Sequence, residues 1–181
     1  MKINKKTGML ENVRHLVSPH YNARSDKANV DLLVVHGISL PPEDFSTTYI
    51  DKLFTGTLVS KEHPYFQTID KNVSSHVLIG RDGKIAQYVS FYDRAWHAGK
   101  SNFQGRENCN DFSIGVELVG ADNIAYELVQ YEKLAELAKT LINFFPKLTS
   151  QRIAGHCDIA SDYKTDPGPA FDWALFRGLC E

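Results

Sequence analysis

The sequence predicts an α/β fold in a single domain, with helices packed on one central β-sheet, an arrangement that some schemes class as α+β. Three observations support this: a continuous apolar run that ends in histidine and glycine, an apolar hairpin around a tight turn, and segments with helical apolar periodicity. The 181 residues suffice for one core and are too few for two ordinary domains. No linker rich in proline, glycine or serine divides the chain.

Three segments have the pattern of buried strands. DLLVVHG (31–37) is a continuous apolar run, typical of a strand covered on both faces, and His36 lies at its carboxyl end. DFSIGVELVG (111–120) predicts a second strand, in which Gly115 allows a neighbouring backbone to approach closely. QRIAG (151–155) predicts a third, shorter strand.

The segment SSHVLIGRDGKIAQYVS (74–90) predicts a β-hairpin. Apolar runs flank RDG, and Asp82 and Gly83 suit the positive φ of a tight turn. His76 shares one face of the first arm with Ser74 and Leu78, so we interpret it as a packing histidine.

Apolar residues at helical spacing predict three helices, over 42–56, 126–145 and 171–180. Gly56 ends the first helix and Pro146 ends the second. The apolar positions that define the three helices are Phe45, Tyr49 and Leu53; Leu134, Leu137, Leu141 and Phe144; and Phe171, Leu175 and Leu179.

Charge and composition argue for a small-molecule partner. A net charge of −2 and a pI near 6.4 provide no basic field for nucleic acid or anionic lipid. The basic amino terminus is not followed by an apolar run of signal-peptide length, and no stretch is long enough to span a membrane. We therefore expect a cytoplasmic protein whose three cysteines are reduced.

Two histidines and a carboxylate are candidate metal ligands. His36 ends a predicted strand, His156 opens a polar segment, and Asp166 follows ten residues later. Two imidazoles and one carboxylate leave a fourth tetrahedral position open, as in catalytic zinc sites. The gap between the histidines matches no short zinc motif, and other carboxylates compete with Asp166. These are Asp158, Asp162 and Asp172.

Glu117 lies inside an apolar strand, where a carboxylate must be paired or desolvated. It is either one half of a buried ion pair or a general base. Lys164 is a candidate for its ionic partner or for a cation that stabilises an oxyanion. In the loop 94–110, Trp96 and His97 are candidates for contacts with a sugar.

Several blocks of sequence, in order and at matching separations, resemble one known family. They are SPHYNAR, LLVVHGISLPP, LFTG, HPYF, YDRAWHAGKSNFQGRENCNDFSIGVEL and GHCDIASDYKTDPGPAFDW. Together they are similar to the cytoplasmic AmpD-type 1,6-anhydro-N-acetylmuramoyl-L-alanine amidases of Gram-negative bacteria. The resemblance runs from about Val17 to Phe176. It divides the chain into an amidase domain at 17–178 and an amino-terminal extension at 1–16.

The resemblance implies a zinc amidase with the fold of peptidoglycan recognition proteins, a mixed central β-sheet flanked by helices. Such an enzyme cleaves the bond between the lactyl group of anhydro-N-acetylmuramic acid and L-alanine in muropeptides during recycling of cell-wall fragments. One Zn²⁺ per chain is implied at His36, His156 and Asp166, with Glu117 and Lys164 as catalytic residues.

The sequence departs from this family where relatives contact the substrate. The residue after the first ligand is Gly37, where relatives often carry asparagine. At three positions where relatives carry basic residues, this chain has Asn72, Asn108 and Tyr163. Candidates to replace those cations are Lys71, Arg81 and Arg106, of which Arg106 is our candidate for substrate binding. We therefore expect weaker discrimination among muropeptides.

Three other interpretations remain open. One is a zinc amidase acting on intact wall peptidoglycan, and another is a peptidoglycan-binding module without hydrolytic activity. The third is a structural zinc site closed by a fourth ligand, for which Cys157 is the nearest thiol. If the segment is extended, Cys157 points away from its neighbour His156.

Overall fold

The computed structural model describes residues 1–181, which form twelve β-strands and four α-helices. The strands are β1 (Ile3–Asn4), β2 (Met9–Leu10), β3 (Arg14–His15), β4 (Tyr21–Ala23), β5 (Leu32–Ile38), β6 (Val77–Ile79), β7 (Ile85–Gln87), β8 (Asp93–Ala95), β9 (Asn102–Phe103), β10 (Arg106–Glu107), β11 (Ser113–Val119) and β12 (Ile153–Gly155). The helices are α1 (Thr47–Phe54), α2 (Leu128–Phe144), α3 (His156–Ile159) and α4 (Trp173–Cys180). Short 3₁₀ turns occupy Ser60–Glu62, Pro64–Gln67 and Cys109–Asp111.

Six strands form the central sheet, in the order β12-β5-β11-β6-β7-β3. All neighbours in this sheet run parallel except β6 and β7, which are antiparallel. The sheet is therefore mixed and flanked by helices, as predicted. The central strands β5 and β11 are the two with long apolar runs, because a parallel strand in the middle of a sheet is covered on both faces.

Helices cover both faces of the sheet. Leu33 and Val35 of β5 pack with α2 and α4 in the largest cluster of the core. On the opposite face, α1 and the residues of the β6–β7 hairpin form a second cluster, and Leu32 and Val34 pack on the loop before β11. Alternate residues of β5 thus enter different halves of the core.

The structure shortens the predicted first helix. The prediction began at residue 42, but α1 begins at Thr47 because Ser46 is its N-cap and accepts a hydrogen bond from the Thr48 amide. Phe45 therefore lies before the helix. Gly56, with φ of 69°, follows its end as predicted.

The prediction for the last helix was wrong about its buried face. Phe171 precedes α4, whose N-cap is Asp172, and Leu175 is 36 % exposed. Phe176 is the fully buried residue and packs in the core with α2. Asp172 accepts a hydrogen bond from the Leu175 amide (2.9 Å), so it is a helix cap and is not available as a metal ligand.

The remaining elements follow the sequence pattern. The hairpin forms between β6 and β7; of its two predicted turn residues, only Gly83 has a positive φ. α2 and β12 lie within the predicted segments, and all three cysteines are free. None of the helices has the length and apolar character needed to cross a membrane.

The first sixteen residues pack against the same sheet as the rest of the chain. Strand β3 pairs with β7, and the side chains of Ile3 and Leu10 are buried in the main core. The Gln87 side chain accepts a hydrogen bond from the Leu10 amide. The division of the chain at residue 17 stays a prediction.

Candidate metal centre

The two central strands bring His36 and Glu117 side by side. β5 and β11 are parallel, and His36 is the register partner of Glu117. Because side chains alternate along a strand, both residues point to the face opposite α2, together with Gly115 and Ser113. A polar set thus lies on one face of strands whose other face is entirely apolar.

His156 reaches the same place from the neighbouring strand. β12 pairs with β5 and ends at Gly155, where the one-turn helix α3 begins. Asp158 accepts a hydrogen bond from the Gly155 amide (2.7 Å), which identifies it as a helix cap. The segment is therefore helical. The expectation that Cys157 points away from His156 assumed an extended segment and does not apply.

Two hydrogen bonds to backbone carbonyls fix the chain at Asp166. Its carbonyl accepts a hydrogen bond from the Cys157 amide (2.9 Å). The buried Tyr126 hydroxyl donates to the carbonyl of the next residue, Pro167 (2.9 Å). These contacts place the Asp166 carboxylate beside the first turn of α3.

The donor atoms of His36, His156 and Asp166 converge. The two histidine Nδ1 atoms are 3.0 Å apart, and Asp166 Oδ2 lies 3.3 Å from His36 Nδ1 and 3.1 Å from His156 Nδ1. Tetrahedral zinc with ligands at about 2.0–2.1 Å places those ligands about 3.3–3.4 Å from one another. The triangle therefore fits three ligands of one zinc ion. Cys157 is not part of this group.

Burial and charge favour the ligand forms of these side chains. Burial, followed by the neighbouring His156, lowers the pKa of His36 to about 4, so its imidazole is neutral at pH 7. Burial raises the pKa of Asp166, but the close polar contacts of its carboxylate with the imidazoles of His156 and His36 outweigh this and hold the pKa well below its usual range. A neutral imidazole and an ionised carboxylate are the forms that bind metal.

Glu117 is buried beside this triangle and has no cationic partner. Its Oε1 lies 4.0 Å from His36 Nδ1, and it makes no ion pair with Lys164. Burial, followed by the nearby Asp166, raises its pKa well above the usual value for glutamate. The structure thus does not pair Glu117 directly with Lys164, and burial favours the protonated form of its carboxyl group more than in water.

These five residues line one cavity of about 560 Å³. Lys164 is half-buried in its wall, and its ammonium makes no hydrogen bond or ion pair. Trp96 also lines the cavity, with its indole N–H donating to Asn22 Oδ1 (2.9 Å). A cation without an ionic partner and an aromatic ring thus lie in the wall of the cavity beside the metal group. The expected contact of Trp96 with a sugar stays a prediction.

His97 lies behind the metal group, is 8 % exposed and also contributes to the lining of the cavity. Its Nδ1 is 2.9 Å from His36 Nε2, and its Nε2 is 3.1 Å from the Ser113 hydroxyl. Gly115 makes room for it, since a Cβ there would lie 2.4 Å from the His97 ring. The close approach predicted at Gly115 is thus that of a side chain and not a backbone. Ser113 had no signal in the sequence.

The basic residues proposed to replace the missing cations do not line the cavity. Arg106 forms an ion pair with Asp31 (2.8 Å) and stacks on Phe112, with its guanidinium carbon 3.6 Å from the ring centre. Its assignment to substrate binding is therefore not supported. Lys71 bonds to Ser60 and Arg81 bonds to Glu127. Both side chains are engaged away from the cavity.

Comparison with known proteins agrees with this geometry. The family model described as N-acetylmuramoyl-L-alanine amidase matches residues 26–169. The chain is 56 % identical over 173 residues to the 1,6-anhydro-N-acetylmuramyl-L-alanine amidase AmpD of Escherichia coli K12, covering 95 % of this chain and 94 % of that protein. It is 38 % identical over 120 residues to the N-acetylmuramoyl-L-alanine amidase AmiD of the same organism, covering 58 % of this chain and 43 % of AmiD.

Solved structures show the same fold. A crystal structure of a selenomethionine derivative of AmpD superimposes with a TM-score of 0.93 at 52 % identity, covering all of both chains. AmpDh3 from Pseudomonas aeruginosa, in complex with an anhydromuramic pentapeptide, gives a TM-score of 0.63 at 27 % identity, covering 94 % of this chain and 65 % of that one. The matched family model includes β5, α3 and the segment after α3, which together contribute His36, His156 and Asp166. The chain therefore belongs to the N-acetylmuramoyl-L-alanine amidase family.

Proposed function

We propose that this protein hydrolyses the amide bond between the lactyl group of 1,6-anhydro-N-acetylmuramic acid and L-alanine in muropeptides, using one zinc ion held by His36, His156 and Asp166. The observation that carries the proposal is the convergence of three ligand atoms, 3.0 to 3.3 Å apart, in the wall of a cavity. The high identity to AmpD supports the substrate. A zinc ion in this site supplies Lewis-acid chemistry, which polarises a carbonyl and acidifies a water molecule.

Glu117 is the proposed general base and acid. Its carboxyl group lies beside the ligand triangle, where it can take a proton from the attacking water and give it to the leaving amine of L-alanine. Burial raises the pKa of Glu117, and a raised pKa suits this exchange because it makes the carboxylate a stronger base towards the attacking water.

Lys164 is the proposed stabiliser of the oxyanion. Lys164 lines the cavity, and its ammonium, 5.8 Å from the centre of the Tyr163 ring, has no carboxylate partner. A negative charge that develops on the amide oxygen therefore meets a cation that no carboxylate has neutralised. Trp96 is the proposed contact for the sugar, since its ring lines the same cavity and its N–H bond to Asn22 fixes its orientation.

Metal analysis combined with an amidase assay tests the proposal. The purified protein should contain one zinc per chain and release L-alanine-terminated peptide from an anhydromuramyl tripeptide; a chelator should abolish turnover and added zinc should restore it. His156→Ala should lose both metal and turnover. The matched control is His63→Ala, because His63 lies outside the cavity and the ligand group. Full zinc content in His156→Ala would refute the ligand assignment.

The same assay separates the remaining interpretations. Turnover of intact wall peptidoglycan at a rate similar to that of the anhydromuramyl substrate would favour a wall amidase, and binding without turnover would favour a binding module. A cytoplasmic role in cell-wall recycling also belongs to this proposal, and fractionation of cells that express the native protein tests it.

We also propose weak recognition of the stem peptide. Lys164 is the one lysine among the residues that line the cavity, and none of them is an arginine that could pair with peptide carboxylates. A missing charge-assisted hydrogen bond removes about 1.5–3 kcal/mol of discrimination. We expect kcat/KM for anhydromuramyl-L-alanine and for the tripeptide substrate to agree within about tenfold. A preference for the tripeptide above about a hundredfold would show that the peptide is recognised elsewhere on the protein.

A further inference from the structure

The two histidines of the metal group differ in what holds their second ring nitrogen. His36 Nε2 lies 2.9 Å from His97 Nδ1. His156 Nε2 is buried and has no hydrogen-bond partner. Of the two rings, only that of His36 therefore has its second nitrogen in a continuous series of hydrogen bonds. The series runs through His97 and Ser113 to the carbonyl of Cys109.

The direction of these hydrogen bonds follows from the last acceptor. The Cys109 carbonyl can only accept, so the Ser113 hydroxyl donates to it (2.6 Å). Ser113 Oγ then accepts from His97 Nε2–H (3.1 Å). In a neutral imidazole the other nitrogen is an acceptor. His97 Nδ1 therefore accepts a hydrogen bond from the Nε2–H of His36. His36 Nδ1 is left with a free lone pair, directed at His156 and Asp166.

We infer that His97 and Ser113 are positioning residues that hold His36 in the tautomer with its proton on Nε2, so that Nδ1 is ready to bind metal. This inference rests on the proposed function, in which His36 is a zinc ligand. It also changes the interpretation of His97, from a residue that contacts sugar to one that acts through His36. Partners behind a ligating histidine orient its ring and tune its basicity.

The surroundings hold both positioning residues in place. The Asn110 side chain accepts hydrogen bonds from the backbone amides of His97 (3.0 Å) and Ala98 (2.8 Å). Buried Arg24 donates to the carbonyls of Asn110 (2.9 Å) and Ser113 (2.8 Å). The acceptor end of the series is thus fixed by buried polar contacts, and Gly115 seats the imidazole of His97.

Nuclear magnetic resonance of the metal-free protein tests the tautomer directly. With ¹⁵N-labelled histidine, two-bond ¹H–¹⁵N correlations identify which ring nitrogen carries the proton. Wild-type protein should show both His36 and His97 protonated on Nε2. A proton on His36 Nδ1 would overturn the inference. This measurement needs neither metal nor turnover, so it remains decisive even if the proposed amidase activity fails.

Zinc affinity measured by competition with a chelating dye tests the consequence. Loss of the outer partner of a ligating histidine typically costs about 10- to 100-fold in metal affinity. Ser113→Ala removes the acceptor that orients this partner, His97, so it should weaken zinc binding by an amount up to that range. The matched control is Ser75→Ala, because the Ser75 hydroxyl is equally buried and has no hydrogen-bond partner. Ser75→Ala should bind zinc within about twofold of wild type. Equal affinities for the two variants would overturn the inference, and if Ser113→Ala fails to fold, the wild-type spectrum decides it.

Discussion

His36 and Glu117 are register partners on the two central parallel strands, and Glu117 Oε1 lies 4.0 Å from His36 Nδ1. The spacing of the proposed metal ligand and the proposed proton carrier is therefore set by the hydrogen bonds of the sheet itself. Both strands are buried in the middle of the sheet, and core strands of this kind are among the last parts of a fold to open. This rigidity suits chemistry in which small displacements of the reacting groups are costly.

Glu117→Gln should retain zinc and lose most of the activity. The amide keeps the shape of the side chain but cannot exchange the proton, so kcat should fall about 10²- to 10⁴-fold, the usual contribution of general acid–base catalysis. Steady-state kinetics and zinc analysis measure the two properties. Glu107→Gln, which changes an exposed glutamate without an ion pair, should behave like wild type. Near-normal turnover of Glu117→Gln would remove this residue from the mechanism.

Lys164→Met should also retain zinc. Loss of a group that stabilises an oxyanion typically costs about 10²- to 10³-fold in kcat, and we expect a loss in that range with little change in KM. The control is Lys61→Met, because Lys61 is exposed and lies outside the cavity. If KM rises while kcat is unchanged, Lys164 binds substrate and does not stabilise the transition state.

The same substitution at two glycines should have opposite effects on stability. In Gly115→Ala the new Cβ would lie 2.4 Å from His97 Cγ, and overpacking of this kind costs about 1–3 kcal/mol. In Gly178→Ala no atom lies within 4 Å of the new Cβ, and the helical position should gain about 0.5–1 kcal/mol. Urea unfolding of the metal-free proteins measures both free energies. A stable Gly115→Ala variant would show that the His97 ring is free to move.

His76 should make the metal-free protein less stable in mild acid. It is buried, with Nδ1 accepting from the Gly115 amide and Nε2 donating to the Asp93 carbonyl. Burial, followed by nearby Arg24, lowers its pKa well below 6.5. Below about pH 6.5, His76 therefore binds a proton in the unfolded chain but stays neutral in the folded protein. The free energy of unfolding falls as the pH drops through this range.

The expected contribution of His76 is at most one proton, or about 1.4 kcal/mol per pH unit. Urea unfolding of His76→Gln at pH 5 and 7 should show a smaller loss of stability in acid than wild type. His63→Gln provides the comparison at a histidine outside this buried cluster. An unchanged pH dependence in His76→Gln would assign the acid sensitivity to other groups.

Local sequence patterns predicted the central strands and the long helix because each pattern reports burial along one element. The same patterns were wrong about the start of α1 and the buried face of α4, because a single contact decides each of them. Ser46 caps α1 later than the apolar spacing indicates, and packing against α2 buries Phe176 while Leu175 remains exposed. The Ser46 cap is a local contact that apolar spacing does not register, whereas the rotation of α4 depends on neighbours that are distant in the sequence.

For the site, the order and spacing of the sequence blocks identified the amidase family and named the residues that the fold brings together. Only the tertiary structure showed that Arg106 is held by Asp31, that Glu117 lacks a cationic partner, and that Ser113 lies behind His97. The physical reason is that a side chain's pairing is set by the strands and loops that fold beside it. The sequence by itself determined which chemical groups are present on each strand, and the sheet register and loop packing decided which of them meet.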